Sequence, residues 1–205
     1  MFTETQEKLA AALVDGAAIK FGQFRLKLHE EHPDAPLSPI YVDLRILRSL
    51  PDAMDLAVAV YRELTNGLRF DVYADIPTAA TPFAALLSHE TRRPMISPRM
   101  DKKGHGSGSP IDGIWKPGQT ALVMDDLITK ADSKLEAIRF LENNGLRVKD
   151  VVVLIDREQG GPDQLQKQGY KCHCAYRLKE LLKFCADSGK ISHADYERTM
   201  KYLST

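Results

Sequence analysis

Net charge and long apolar runs are both missing from this sequence. Its 28 basic and 28 acidic residues cancel, so no overall electrostatic field favours binding to nucleic acid or to an anionic membrane surface. No apolar run reaches the roughly 18 residues that a membrane-spanning helix needs. The N-terminus also lacks the basic region of a secretory signal peptide. We therefore expect a cytoplasmic protein that binds neither nucleic acid nor a membrane.

Cysteine is scarce, at 3 of 205 residues, and an odd number of cysteines is typical of a protein in a reducing compartment. Cys172 and Cys174 flank His173, but alternation along a strand sends the two thiols to one face and the imidazole to the other. No second pair of ligands stands elsewhere at zinc spacing. We therefore predict no metal site built from protein side chains.

What the sequence does contain is an alternation of strand patterns with helical patterns. This alternation predicts an α/β fold, with a mainly parallel central sheet flanked by helices, and the length suits a single domain. Ser49 is the candidate N-cap of the second predicted helix. The predicted helices cover residues 4–14, 49–67, 81–92, 133–145, 162–168, 177–189 and 192–203, and the predicted strands cover 17–28, 40–47, 71–76, 94–98, 120–126, 150–157 and 171–176, with a polar loop over 29–39.

In a parallel sheet of this kind, ligands bind at the carboxyl ends of the strands. Four loops follow strand ends there, with the sequences ADIPTAATP, SPRMDKK, MDDLITKADS and IDREQGG. We expect these loops to converge on one crevice.

The third loop carries the most informative pattern, because Asp125 and Asp126 end an apolar run just before a helical pattern. Two carboxylates can accept hydrogen bonds from a ribose diol, and main-chain N–H groups at the start of the next helix can hold a phosphate. Such loops normally contain glycine, but this one has none and adds the charge of Asp132. The alternative interpretation is a capped helix start, with Asp132 as N-cap or with Ser133 and Glu136 in a capping box.

The loop MDDLITKADS resembles the phosphoribosyl-diphosphate loop of type I phosphoribosyltransferases. The stretches AIKFGQFRLK, SPIYVDLR, KKGHGSGSPIDG and VVVLIDREQGG resemble orotate phosphoribosyltransferases and stand in that family's order; the last is similar to the form found in two-domain UMP synthases. The similarity runs from Val14 to Tyr202. It implies the type I phosphoribosyltransferase fold, with a small N-terminal hood and base-binding part over 1–48, a core over 49–176 and C-terminal helices over 177–205.

The resemblance implies a reaction as well as a fold. A homodimer would transfer ribose 5-phosphate from phosphoribosyl diphosphate to orotate with the help of Mg²⁺, and would release orotidine 5′-monophosphate and diphosphate. Asp125 and Asp126 are expected to hold the ribose hydroxyls, and Thr129 and Ser133 to meet the 5′-phosphate. Lys130, if it turns inward, adds a cation to the same loop.

The resemblance also implies a cationic lid over residues 99–105. Arg99, Lys102, Lys103 and His105 would then reach the diphosphate, with Lys103 and His105 in the catalytic role. A lid that excludes water and carries cations suits a leaving group that gains negative charge in the transition state. The alternative interpretation is a basic loop without a ligand.

The expected base site contains Lys27 and Arg157, close to the pyrimidine and its carboxylate. A guanidinium binds a planar carboxylate through two parallel hydrogen bonds. The alternatives are an ion pair between Arg157 and a nearby acid such as Glu158, and a surface position for Lys27. Both side chains are cations, so they favour an anionic base in general and do not by themselves select orotate.

The chain departs from the family pattern on the phosphate side of the site. Residues 130–132 replace small residues of the loop, Met100 replaces a basic residue of the lid, and Ala79 stands where many bacterial members have lysine. These departures keep two alternatives open: a non-catalytic or regulatory nucleotide-binding paralogue, and a phosphoribosyltransferase for another base.

The position of Asp132 decides how serious these departures are. A carboxylate about 5 Å from a phosphate dianion costs roughly 6–7 kcal/mol at an effective dielectric constant near 20. A carboxylate turned outward to about 10 Å and screened by salt costs roughly 1 kcal/mol or less. Alanine fits the loop only where φ is negative, because positive φ suits glycine.

Overall fold

The computed structural model describes residues 1–26, 28–99 and 109–204 of the chain. Within these ranges the chain forms two compact units. The first comprises Met1–Leu56 together with Leu178–Thr205, and the second comprises Ala57–Arg177. The predicted site residues that follow the strands of the parallel sheet all belong to the second unit.

Helices and strands alternate along most of the chain, as the sequence predicted. The helices are α1 (Glu4–Asp15), α2 (Leu28–Glu31), α3 (Pro51–Thr65), α4 (Thr81–Thr91), α5 (Asp132–Asn143), α6 (Gly161–Lys167), α7 (Leu178–Asp187) and α8 (His193–Tyr202), and a 3-10 helix covers Leu44–Ser49. The strands are β1 (Ile19–Phe24), β2 (Ser38–Val42), β3 (Val72–Asp75), β4 (Met95–Pro98), β5 (Ile111–Asp112), β6 (Thr120–Ile128), β7 (Arg147–Asp156) and β8 (Lys171–Arg177). Of the helices in the described ranges, none has both the length and the apolar composition required to cross a bilayer.

The second unit is organised around a sheet that contains, among the described residues, six strands in the order β5-β4-β3-β6-β7-β8. Neighbouring strands run parallel except for β4 and β5, which are antiparallel. Helices α4, α5 and α6 connect strands of this sheet. The predicted α/β fold with a mostly parallel sheet flanked by helices is therefore confirmed.

The core of this unit lies around β6 and β7. Residues 151–156 of β7 are all buried, and a strand loses the alternation of buried and exposed positions when both faces of its sheet are covered. Val123 and Val153 of these strands belong to one apolar cluster with Ile138 and Leu141 of α5. This packing places α5, and hence the loop before it, directly against the two strands that end at the predicted site.

The first unit combines helices α1, α7 and α8 with an antiparallel pair of strands, β1 and β2. A capping box starts α1, because the Thr3 side chain accepts the Gln6 N–H and the Gln6 side chain accepts the Thr3 N–H. Helix α7 contacts α1 and α8, and α8 contacts β2. Buried leucines such as Leu9, Leu13 and Leu181 supply the apolar core of this unit.

Three local predictions were wrong. The predicted loop over 29–39 contains most of α2 and the start of β2. The strand predicted over 40–47 ends at Val42, because the Asp43 carboxylate accepts the N–H of Arg45 and starts the 3-10 helix. Ser49 is the last residue of that 3-10 helix and does not cap α3.

Candidate active site

Strands β3, β4, β6 and β7 run parallel, so their carboxyl ends lie at the same edge of the sheet. Asp75 ends β3 opposite Met124 of β6. Ile128 ends β6 opposite Asp156, the last residue of β7. The loops that follow β3, β6 and β7 therefore leave the sheet at this edge, although β3 ends opposite Met124, before β6 ends at Ile128. Residues 100–108 after β4 lie outside the described ranges, so the convergence of four loops on one crevice stays a prediction.

Asp125 and Asp126 are neighbours in β6, but their carboxylates have different environments. The Asp125 side chain is 8% exposed, and its Oδ2 lies 2.6 Å from Nζ of Lys134, whose side chain is 6% exposed. Oδ1 of Asp125 accepts the N–H of Asp126 at 2.9 Å. Asp126 is half-buried, and its Oδ1 accepts the N–H of Leu127 at 2.8 Å. Asp125 is thus paired with Lys134 in the interior, whereas Asp126 reaches the surface.

The environment of Asp126 changes its titration. The pKa of Asp126 is raised to about 7, first by burial and then by the adjacent Asp125 carboxylate, and the N–H of Leu127 and the ammonium of Lys134 limit the shift. The Tyr61 hydroxyl donates to the main-chain oxygen of Asp125 at 2.7 Å, and burial raises the pKa of Tyr61 well above its usual value, so this phenol stays neutral. A carboxyl group that titrates near neutrality is typical of functional sites.

The loop between β6 and α5 has a shape that requires no glycine. None of residues 129–131 has a positive φ, and Ala131, with φ −90° and ψ 3°, is the N-cap of α5. Asp132 is therefore the first helical residue rather than the N-cap, and Ser133 comes too late for a capping box with Glu136, so the capped interpretation is wrong. The N-cap residue, Ala131, has no side chain that could accept the N–H groups of the first turn of α5. The N–H groups of Asp132 and Ser133 form no hydrogen bond within the described ranges, so they can donate to an anion.

The loop is held by residues that the sequence analysis did not single out. The N–H of Gly161 donates to the main-chain oxygen of Thr129 at 2.9 Å, and Oε1 of Gln164 accepts the N–H of Ala131 at 2.8 Å. A Cβ atom at Gly161 would lie 2.5 Å from Cγ1 of Ile128 and 2.6 Å from the Thr129 oxygen. The close approach that a glycine normally permits within a phosphate loop is thus supplied by a glycine at the start of the neighbouring helix α6. The Gly160-Gly161 pair in the sequence was the available signal.

The charged residues of the loop point away from the interior. Lys130, Asp132 and Ser133 are exposed, and Thr129 is half-buried. Asp132 forms no ion pair or side-chain hydrogen bond within the described ranges. Its exposure agrees with a carboxylate that is turned outward from the loop. In that position, salt and water screen its repulsion of a bound phosphate.

A buried carboxylate stabilises the neighbouring strand end. Asp75 is 1% exposed and accepts hydrogen bonds from the hydroxyl groups of Thr81 in α4 and Ser97 in β4, the latter at 2.5 Å. The loop between β3 and α4 contains Ala79 and a cis peptide bond between Pro77 and Thr78. Asp75 therefore joins three elements around this loop, although its position in an apolar run gave no sign of that role.

The two predicted arginines have separate environments. The main-chain N–H of Arg157 donates to the oxygen of Ile128 at 2.8 Å, which places its half-buried side chain at the edge where β6 and β7 end. The guanidinium of Arg99 lies 2.6 Å from the Asp112 carboxylate, and both side chains are largely exposed. Lys27, Lys102, Lys103 and His105 lie outside the described residues.

Comparison with solved structures identifies the class to which this fold and site belong. No family model matches the chain. The structure of UMP synthase from Leishmania donovani matches with a TM-score of 0.85 and 34% identity, and the match covers 97% of this chain and 42% of that one. The mostly parallel sheet flanked by helices is thus a type I phosphoribosyltransferase fold.

Curated relatives identify the family within this class. Orotate phosphoribosyltransferase from Pyrobaculum aerophilum is 35% identical over 193 residues, which cover 94% of this chain and 96% of the relative. Uridine 5′-monophosphate synthase from Bos taurus is 34% identical over 197 residues, which cover 95% of this chain but only 40% of the relative. The chain therefore spans less than half the length of the UMP synthases that it matches. It belongs to the orotate phosphoribosyltransferase family.

Proposed function

We propose that this protein is an orotate phosphoribosyltransferase of pyrimidine nucleotide biosynthesis. It transfers ribose 5-phosphate from phosphoribosyl diphosphate to orotate, and the products are orotidine 5′-monophosphate and diphosphate. The observation that carries this proposal is the 35% identity to the Pyrobaculum relative over 96% of that relative's length. The paired acids and the uncapped start of α5 support it, because a sugar phosphate needs acceptors for its diol and donors for its phosphate. The comparisons do not favour the non-catalytic alternative.

The loop between β6 and α5 binds the sugar phosphate in this mechanism. The acid pair Asp125 and Asp126 forms the ribose side of the site. The hydroxyl groups of Thr129 and Ser133, together with the first N–H groups of α5, donate to the 5′-phosphate, which the helix dipole also favours. Lys130 is exposed beside this loop and offsets part of the charge of Asp132.

Charge develops at two places when the bond to C1′ breaks. The ribose ring gains oxocarbenium character, which a nearby carboxylate stabilises, and the leaving diphosphate gains negative charge. Groups that act on these charges only as they appear raise the rate, whereas uniform binding of the substrate does not. Arg99, Lys102, Lys103 and His105 are assigned to the diphosphate by resemblance, with Lys103 and His105 as the catalytic groups.

Mg²⁺ is part of the proposal, but the protein does not build a cage for it. Within the described ranges there is no cluster of three His, Cys, Asp or Glu side chains arranged to hold a metal. Mg²⁺ typically keeps several waters and binds substrate phosphate oxygens rather than a full set of protein ligands. We therefore assign the ion to the diphosphate, where it would neutralise part of the leaving charge.

The base site is assigned to Arg157 and Lys27. Arg157 lies at the edge where the phosphate loop begins, and its planar guanidinium suits the orotate carboxylate. A panel of orotate, uracil and purine bases tests this assignment. Product from orotate alone supports it, and equal product from uracil would show that no carboxylate is read.

The test of the function is orotidine 5′-monophosphate formation from phosphoribosyl diphosphate, orotate and Mg²⁺. The control is an Asp125→Asn/Asp126→Asn variant, which keeps the volume of both side chains and removes their charge. We expect the wild-type rate to exceed that of the variant by at least about a hundredfold. A wild-type rate equal to that of the variant would refute the proposal.

Assembly and location also belong to this proposal. A homodimer is implied by the family resemblance, and a cytoplasmic location by the low and odd number of cysteines, 3 of 205 residues. Light scattering of the purified protein measures the oligomeric state directly. A monomer with full activity would refute a dimeric active site.

A further inference from the structure

The start of α5 carries a lysine that is buried. Lys134 is the third residue of this helix, and its side chain is only 6% exposed. A cation is unfavourable near the N-terminus of a helix, where the dipole favours anions, and burial adds a desolvation cost. The contact with Asp125 at 2.6 Å compensates for both effects.

The same contact determines how the two acids of β6 are used. Both oxygens of Asp125 already have partners, Lys134 for Oδ2 and the N–H of Asp126 for Oδ1. The Asp125 side chain is also only 8% exposed. Asp126 is half-buried, and beside the Leu127 N–H and the adjacent Asp125 carboxyl it has no cation in contact within the described ranges. Of the two carboxylates, Asp126 is the one that a ligand can reach.

We propose that Lys134 is a positioning residue that neutralises Asp125 and holds it in the interior, so that the ribose diol is accepted by Asp126. The assignment rests on the proposed function, because it concerns the ribose end of that site. The sequence alone does not distinguish the two acids. In this assignment Asp125 is the internal counter-ion of Lys134, and Asp126 is the group that binds the ligand.

Electrostatics at Asp126 gives this assignment a measurable consequence. The titratable groups that act on its carboxyl are Asp125 on the same strand, Lys134 on α5 and the neutral phenol of Tyr61 on α3. Burial and Asp125 raise the pKa of Asp126, and Lys134 lowers it. Replacement of Lys134 by a neutral side chain removes the one cation of this cluster, so the coupled acid pair holds its proton to higher pH and becomes fully ionised only there.

The first experiment compares Lys134→Met with Arg139→Met, which removes an exposed cation from the same helix. Carboxyl-labelled aspartate NMR of the unliganded proteins, assigned with Asp126→Asn, should show the apparent pKa of the acid pair rise by at least about one unit in Lys134→Met and stay unchanged in the control. Titration curves that coincide in wild type and Lys134→Met would refute the role of Lys134. This measurement needs no activity, so it remains informative if the wild type makes no orotidine 5′-monophosphate.

The pH dependence of kcat/KM distinguishes a positioning role of Lys134 from a merely structural one. In Lys134→Met, kcat/KM for phosphoribosyl diphosphate should fall about tenfold near pH 6.5 and recover towards the wild-type value near pH 9, because the acid limb of the profile moves with the pKa. A loss of equal size at all pH values would mean that Lys134 only maintains the structure, and would overturn the proposal.

The last experiment separates the two acids by ribose 5-phosphate binding in a calorimeter. The Asp125→Asn/Lys134→Met variant carries a neutral pair in place of a buried ion pair, an exchange that proteins often tolerate. It should bind ribose 5-phosphate at least about tenfold more tightly than Asp126→Asn does, because it keeps the accepting carboxylate. Equal affinities in the two variants would refute the assignment of the diol to Asp126.

Discussion

A glycine outside the phosphate loop is predicted to control that loop. In Gly161→Ala, the new Cβ would lie 2.5 Å from Cγ1 of Ile128 and 2.6 Å from the main-chain oxygen of Thr129. Carbon atoms prefer separations of about 3.5–4.0 Å, so the two loops must separate by roughly 1 Å. Overpacking of this kind costs about 1–3 kcal/mol of folding stability. The shift also weakens the hydrogen bond from the Gly161 N–H to Thr129, which is 2.9 Å long.

Gly169→Ala is the matched control for this prediction. Gly169 has φ +90° and no atom within 4 Å of an added Cβ, so alanine there introduces backbone strain of about 1–2 kcal/mol without a clash. Urea unfolding should show comparable losses of stability in the two variants. Only Gly161→Ala should lower kcat/KM for phosphoribosyl diphosphate, by about 30- to 100-fold, because a displacement near 1 Å disrupts the binding geometry. Equal kinetics in the two variants would refute the contact as a determinant of the loop.

Three further predictions concern single charges and hydrogen bonds of the site. Asp132→Asn should lower KM for phosphoribosyl diphosphate about two- to fivefold at low salt and less at high salt, because an exposed charge is screened; a higher KM would contradict its outward position. Tyr61→Phe should lower the free energy of unfolding by about 1–2 kcal/mol, because the Asp125 oxygen loses a buried donor; an unchanged denaturation midpoint would contradict this. Relative to Asp126→Asn, the wild-type protein should lose folding stability as the pH rises from about 5 to 7. The pKa of Asp126 is about 7 in the folded state and 3.8 in its usual range, so between these values the folded state retains a proton that the unfolded state has released. Parallel curves of stability against pH would contradict the shift.

Local patterns were sufficient to predict the sheet and the edge at which its parallel strands end. The apolar runs of β6 and β7 and the helical spacing of α5 are properties of neighbouring residues. The carboxyl edge of the sheet follows from those elements, because parallel strands end together. Errors occurred where side chains compete with regular structure, as at Asp43, whose carboxylate ends the predicted strand by binding the N–H of Arg45.

The opening of the phosphate loop was left undecided by the sequence. The residues after Thr129 allowed both a capped helix start and an open loop, and the choice depended on φ angles. Ala131 has a negative φ, which alanine adopts without strain. The loop therefore needs no glycine at this position. The position of Asp132 as the first helical residue also excludes its role as N-cap.

The sequence by itself determined the family resemblance, the α/β alternation and the pair of acids, because each depends on residues that are close along the chain. Tertiary structure decided which acid is paired in the interior, which one is half-exposed, and what supports the loop. Lys134 reaches Asp125 across a turn, and Gly161 reaches Thr129 only because Ile128 and Asp156 end adjacent strands in register. Such contacts depend on how separate helices and strands pack together. The periodicity of residues along the sequence gives no information about the distances between those elements.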